Sequence, residues 1–192
     1  TWQQKLGLAK QANNLLIDNI LNSSGNRIGL VGYKDTAADS NYHNLSTLVS
    51  SLKDKVTQWT ASGNTCICCG VNKAAQGYNA TGKLQAMVVL SDGIANIQCP
   101  QQGTGNPRQD SIEAACEAYQ NQGIIVHTVG FGADADESTL QAMAACGNGS
   151  YFFANVNEIV ALYQQISNEL IKGTYVEQRV ELEGSLDGEL SP

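Results

Sequence analysis

The sequence predicts an α/β fold, a doubly wound and mainly parallel sheet with helices on both faces. Two observations predict it. Helical and extended segments alternate along nearly the whole chain, the pattern of repeated βαβ units. Leu84 to Leu90 and Gly123 to Gly130 are nearly continuous apolar runs, which mark central parallel strands covered on both sides rather than half-exposed ones.

In chain order, Trp2 to Leu21 carries Leu6, Ala9, Leu16, Ile17 and Ile20 at helical spacing, and Ser23-Ser24-Gly25-Asn26 ends that helix. Arg27 to Tyr33 reads as a strand. Leu45 to Trp59 reads as a helix with Leu48, Leu52, Val56 and Trp59 on one stripe, and a short helix is expected from about Cys66 to Gly77. The apolar strand Leu84 to Leu90 ends at Ser91-Asp92-Gly93, and a polar loop with Gly and Pro spans Ile94 to Pro107. A helix over Gln109 to Gln122 carries Ile112, Ala115, Cys116 and Tyr119, and it leads into the second apolar strand. Asp136 to Cys146 is helical, Ser150 to Ala154 is a short strand, and Val156 to Ile171 is a last amphipathic helix. Residues 1–172 thus read as one domain. The remainder, 173–192, alternates polar and apolar residues from Tyr175 to Leu182 and then turns acidic, as an edge strand or the start of a further domain would.

Composition excludes several function classes. A net charge of -7 argues against nucleic acid, whose phosphates need a basic face, and gives no reason to expect anionic lipid. No apolar run approaches the roughly 20 residues needed to cross a bilayer. Thr1 to Lys5 does not read as a signal peptide, so if the protein is exported its signal is expected upstream. Cys66, Cys68, Cys69, Cys99, Cys116 and Cys146 make six, an even number that favours disulfides and an oxidising compartment. A zinc site from the first four, and free buried thiols, are the competing readings. Against zinc stands the lack of paired C-x-x-C knuckles and of a histidine partner. Sequons at Asn22, Asn44, Asn79 and Asn148 are compatible with surface glycosylation.

Open α/β sheets bind ligands at the carboxyl ends of their strands, and two segments fall there. Gly63-Asn64-Thr65-Cys66-Ile67-Cys68-Cys69-Gly70 enters a helix. Val88-Val89-Leu90-Ser91-Asp92-Gly93 delivers a carboxylate to a strand tip. A hydroxyl and a carboxylate are hard oxygen ligands that suit Mg²⁺ or a similar cation. The bland alternative makes Thr65 a helix N-cap and Asp92 a turn residue. At these residues the chain resembles the von Willebrand factor type A (vWA) family. The first segment is similar to its Gly-Gly-Thr-Asn-Ile-Gly loop, with Asn64 placed before Thr65. Leu90-Ser91-Asp92-Gly93 is similar to its Leu-Thr-Asp-Gly strand end. Ile125 to Gly132, and then Gly149-Ser150-Tyr151-Phe152, resemble the next strands, so the likeness runs from about Thr1 to Leu170.

The resemblance implies a metal-ion-dependent adhesion site. Thr65 would coordinate the metal, and Asp92 would hold it directly or through water. The ion would be Mg²⁺ (or Mn²⁺ or Ca²⁺), with a ligand carboxylate in the open position. The family's Asp-x-Ser-x-Ser loop and central first strand do not occur before Trp2. Three explanations stand: residues upstream, a strand given by another chain as in pilus assembly, or a cleaved product that keeps its partner peptide. The metal site is conditional on that loop. The function expected is an extracellular or cell-surface binding module, not an enzyme, in a pilus or other adhesive filament, with a protein or glycan partner. The alternative is a structural filament subunit with a vestigial metal site and exchanged strands. A hydrolase or nucleotide-binding enzyme is the weakest reading, because His127 and His43 have no Ser or Cys partner and Gly130-Phe131-Gly132 lacks a third glycine. Asp134, Asp136 and Glu137 read as a helix start, with a calcium loop as the alternative. A bridge between Cys116 and Cys146 is expected, as is a tie from the Cys66, Cys68 and Cys69 cluster to Cys99. The latter would make the site redox-sensitive.

Overall fold

The computed structural model describes residues 2–78, 83–155 and 157–172. The tail 173–192 and the sequon at Asn79 lie outside these residues. The elements are α1 (Trp2–Leu21), β1 (Ile28–Val31), a 3₁₀ turn (Asp39–Asn41), β2 (Tyr42–Ser46), α2 (Val49–Gln58) and α3 (Ile67–Gly77). They continue with β3 (Ala86–Ser91), α4 (Pro107–Gln122), β4 (Ile125–Phe131), α5 (Glu137–Cys146) and β5 (Asn148–Ala154). A last helix, α6, covers 159–172.

β3, β4 and β5 form a parallel sheet with β4 in the middle. The register runs from Ala86 opposite Ile125 to Ser91 opposite Gly130. Alternate side chains of β3 serve opposite faces. Met87 and Val89 join Val71, Ala114, Ile124, Leu140 and Met143 in a core under α3, α4 and α5. Val88 and Leu90 pack on the other side, against a core of Ala12, Val129, Phe131, Ile159, Tyr163 and Ile166 that carries α1 and α6. Both faces are therefore covered, which explains the unbroken apolar runs. Local signals set the helix ends. Asn106 caps α4 through its side chain, Pro107 opens it, and Gly123 closes it at φ 68°, a left-handed conformation that glycine adopts without strain.

One element departs from the sequence-based expectation. The helix expected from Leu45 begins only at Val49, and Tyr42–Ser46 instead pairs antiparallel with β1. None of the five side chains of β2 is buried, so the strand lacks the alternation that would reveal it. Leu48, expected on the apolar stripe, is 61% exposed, while Leu52 and Val56 carry the packing against Ile17, Ile28 and Leu30.

β1 and β2 form a sheet of their own, separate from β3–β4–β5. The carbonyl of Gln85 accepts from Ile125 on the β4 side, so by the period of two the polar groups of residues 86, 88 and 90 face away from β4. On that side, among the described residues, two tyrosines rather than a strand meet the backbone. Tyr33 Oη donates to the Leu90 carbonyl at 2.6 Å, and Tyr78 Oη donates to the Ala86 carbonyl. The ring of Tyr33 lies directly on Gly70, where a Cβ would come within 2.6 Å of it.

Candidate metal-binding site

The carboxyl end of β3 and the start of α3 meet at the rim of the parallel sheet. The Thr65 amide donates to Asn96 Oδ1 at 2.8 Å, and the Asn96 amide donates back to the Thr65 carbonyl at 3.0 Å. This pair lashes the loop before α3 to the loop after β3. It places Thr65 Oγ1 3.8 Å from where a Gly93 Cβ would stand. Thr65 does not cap α3, because Cys66 occupies the N-cap position and no side chain makes a capping bond there. Asp92 does not close its turn either. The neighbouring Ser91 hydroxyl does so, donating to the Gly93 carbonyl at 3.2 Å and receiving the Gly93 amide at 3.4 Å. The Asp92 carboxylate is left about half exposed at the strand tip.

Two residues that sequence reasoning missed complete the rim. Lys5, one turn into α1, sets its ammonium 3.6 Å from Asp92 and 3.0 Å from Asp134. Burial works against its charge, but the hydrogen bond to Asp134 and the charges of Asp92 and Asp134 outweigh it and raise the Lys5 pKa. Asp35, on the loop after β1, accepts from the Asn64 amide at 2.9 Å and from Asn64 Nδ2 at 2.8 Å. Those bonds lower its pKa. They also hold Gly63 at φ 81°, with no room for a Cβ beside the Asp35 carboxylate. Neither residue carries a local sequence signal: Lys5 reaches Asp134 from 129 positions away.

The acidic residues after Gly132 do not converge. Asp136 caps α5 by accepting from the Thr139 amide and hydroxyl and from Ser138, and it pairs with Arg108 at 2.8 Å. Asp134 turns to Lys5, and Glu137 accepts from Gln141. The calcium-loop reading therefore finds no support in the geometry. His127 is partly buried with its pKa lowered by burial, and its Nδ1 accepts from the Ser150 amide. His43, expected to have no Ser partner, does have one: its Nε2 lies 2.7 Å from Ser51 Oγ, brought close by the turn into α2, while its Nδ1 faces the Asn44 carbonyl rather than a carboxylate.

Three disulfides join Cys66 to Cys69, Cys68 to Cys99 and Cys116 to Cys146. The first begins at the residue after Thr65, and Cys68–Cys99 covalently ties the loop after β3 to the start of α3. The donor types present, one hydroxyl and one carboxylate, suit a divalent cation of the Mg²⁺ kind. They supply two oxygens where such an ion takes six or more. The residues fit as part of a shell, with Lys5 already presenting a positive charge to the same carboxylate.

A family model of the von Willebrand factor type A domain matches residues 2–168. No curated protein matches the sequence significantly. Among solved structures, the chain is similar to the vWF domain of the type V pili tip protein Mfa5 from Porphyromonas gingivalis. The identity is 14%, covering 89% of this chain and 90% of that one, with a TM-score of 0.74. It is also similar to the pilus adhesin SpaC from Lactobacillus rhamnosus GG, at 14% identity over 88% of this chain and 28% of that one, TM-score 0.71. A third is proximal thread matrix protein 1 of the mussel byssus, solved with a zinc-occupied MIDAS motif. There the identity is 16%, over 86% of this chain and 42% of that one, TM-score 0.65. At such identities the structural likeness speaks for the fold, and the family match spans most of the chain: the protein belongs to the von Willebrand factor type A domain family.

Proposed function

We propose that the chain is an extracellular or surface-displayed binding module rather than an enzyme, and that it takes a protein or glycan ligand through a divalent cation at Thr65 and Asp92. The observation that carries this reading is the lashed pair of loops at the rim. It brings the Thr65 hydroxyl beside Gly93 and leaves the Asp92 carboxylate half exposed, with neither group spent on capping or turn closure. Mg²⁺ is the ion expected from hard oxygen donors, with Mn²⁺ and Ca²⁺ as substitutes. When bound it would offer an open coordination position to a carboxylate of the ligand. That Mfa5 is a pili tip protein and SpaC a pilus adhesin supports a setting on a surface filament.

The side of β3 met by Tyr33 and Tyr78 favours a second component in this reading. An apolar strand ending in Asp-x-Ser-x-Ser and added beside β3 would replace the two hydroxyls at the Leu90 and Ala86 carbonyls and bring further oxygens to Asp92. The test is calorimetric titration with Mg²⁺, with and without such a strand, supplied either upstream of Thr1 in the same polypeptide or as a separate peptide. Metal binding that appears with the strand and disappears in Asp92→Ala supports the adhesion reading. A strand that binds without conferring metal affinity instead favours a structural filament subunit with a vestigial site.

A further inference from the structure

Four of the six cysteines form one compact sulfur cluster. Cys66 at the N-cap of α3 and Cys68 and Cys69 in its first turn meet Cys99 from the loop after β3. All four Sγ atoms lie within 4.8 Å of one another. They belong to two disulfides, but the contacts between the disulfides are as informative as the bonds. Cys66 Sγ is 3.6 Å from Cys99 and 3.7 Å from Cys68, and Cys69 Sγ is 3.7 Å from Cys99. A zinc–sulfur bond of about 2.3 Å places the sulfurs of a tetrahedral site about 3.8 Å apart. Three of the six edges of such a tetrahedron are thus already at length while the cysteines are oxidised.

We propose that, once these two disulfides are reduced, Cys66, Cys68, Cys69 and Cys99 form a closed tetrathiolate site for a soft divalent cation of the zinc class. A dithiol reductant passes two electrons and two protons to each disulfide and becomes a disulfide itself. The bound cation then displaces four thiol protons to solvent, leaving a centre of net charge −2. The surroundings suit that product. Cys66, Cys68 and Cys99 are buried, so the complex is shielded from competing water, while Cys69 is only half buried and gives a reductant entry. The amino end of an 11-residue helix favours negative charge and lowers thiol pKa values. The Cys99 amide is fixed by the buried Asp110 carboxylate at 2.8 Å, which holds the fourth ligand in place when its disulfide opens. Oxidised, the cluster ties two loops together covalently; reduced, the metal ties the same loops. The proposal is independent of the Thr65 and Asp92 reading, whose oxygen donors select hard cations.

The test uses the full chain carrying Cys116→Ser and Cys146→Ser, reduced with a phosphine under anaerobic conditions and titrated with Co²⁺. The expected result is one equivalent bound, with the intense thiolate-to-cobalt band of a tetrahedral sulfur site, displaced by Zn²⁺ and absent from the oxidised chain. Adding Cys99→Ser removes the band, and Zn²⁺ raises the melting temperature of the reduced chain with Cys99 intact. Absence of the band in the reduced chain overturns the proposal. So does a band that survives Cys99→Ser, or a melting temperature that Zn²⁺ leaves unchanged, since chelation by an unfolded chain gives no stabilisation.

Discussion

Asp110 has no accessible surface, yet it sits in the first turn of a helix, where an acidic residue ordinarily reads as a solvated complement to the helix dipole. Its carboxylate accepts from the Cys99 amide at 2.8 Å, the Thr104 amide at 3.0 Å and the Thr104 hydroxyl at 2.6 Å. Burial pushes its pKa up, but these three donors outweigh burial and hold it below the ordinary carboxylate value. A depressed folded-state pKa contributes stability that is present above the unfolded value of about 3.9 and lost as pH falls through the folded value. Asp110→Asn is therefore expected to lower stability at neutral pH by about 1–3 kcal/mol, since all three donors lose a charged acceptor and at least one is left buried against the new NH2 with no acceptor. It should also flatten the loss of stability as pH falls below about 4. Urea unfolding at several pH values checks both. Lys5 acts at the same scale on the rim. Lys5→Met removes the cation that Asp92 and Asp134 share, and Mg²⁺ affinity of the strand-supplied chain should rise, as read by calorimetry. An affinity unchanged by the substitution would mean that Lys5 and the metal occupy different places.

Among the elements, α4 and α5 are joined by the Cys116–Cys146 bridge, whose ends are 30 positions apart. Opening a loop of that length costs roughly 3–4 kcal/mol on the chain-entropy account. The Cys116→Ser, Cys146→Ser double variant should show that loss in denaturant midpoint, with the parallel sheet intact by circular dichroism. Gly70→Ala on α3 should cost roughly 1–3 kcal/mol, because its Cβ would stand 2.6 Å from the Tyr33 ring. The helices and the parallel strands were legible in the sequence wherever burial was two-sided or periodic, as in β3, β4 and α1. β2 was not, because none of its side chains is buried and so no periodicity is written into Tyr42–Ser46. At the rim, the strand tip at Asp92 and the loop at Thr65 could be read because each follows a regular element. Lys5, Asp35 and Asp110 could not, because their roles come from partners brought close only by the fold. The Cys116–Cys146 bridge matches the sequence-based expectation, but the pairing within the other four was hidden, since all four clustered sulfurs are near enough to exchange partners.

For the molecule as a whole, the division into a two-stranded and a three-stranded sheet implies uneven stability. β4 has a strand on either side and both faces covered, whereas among the described residues β1 and β2 pair only with each other, over one core of modest size. Hydrogen exchange should therefore be slowest in β4 and markedly faster in β1 and β2, and a strand bound between β1 and β3 should slow β1 most. Equal protection across both sheets would contradict the separation. The disulfides carry a last consequence, and it is mechanical. Cys68–Cys99 and Cys116–Cys146 close successive loops of 31 and 30 positions that neither nest nor overlap. A chain pulled from its two ends cannot pay out either loop while the bonds hold, which withholds about 200 Å of contour length. Under tension the oxidised protein would stop about 200 Å short of the extension its reduced form reaches, like a tether with a built-in arrest.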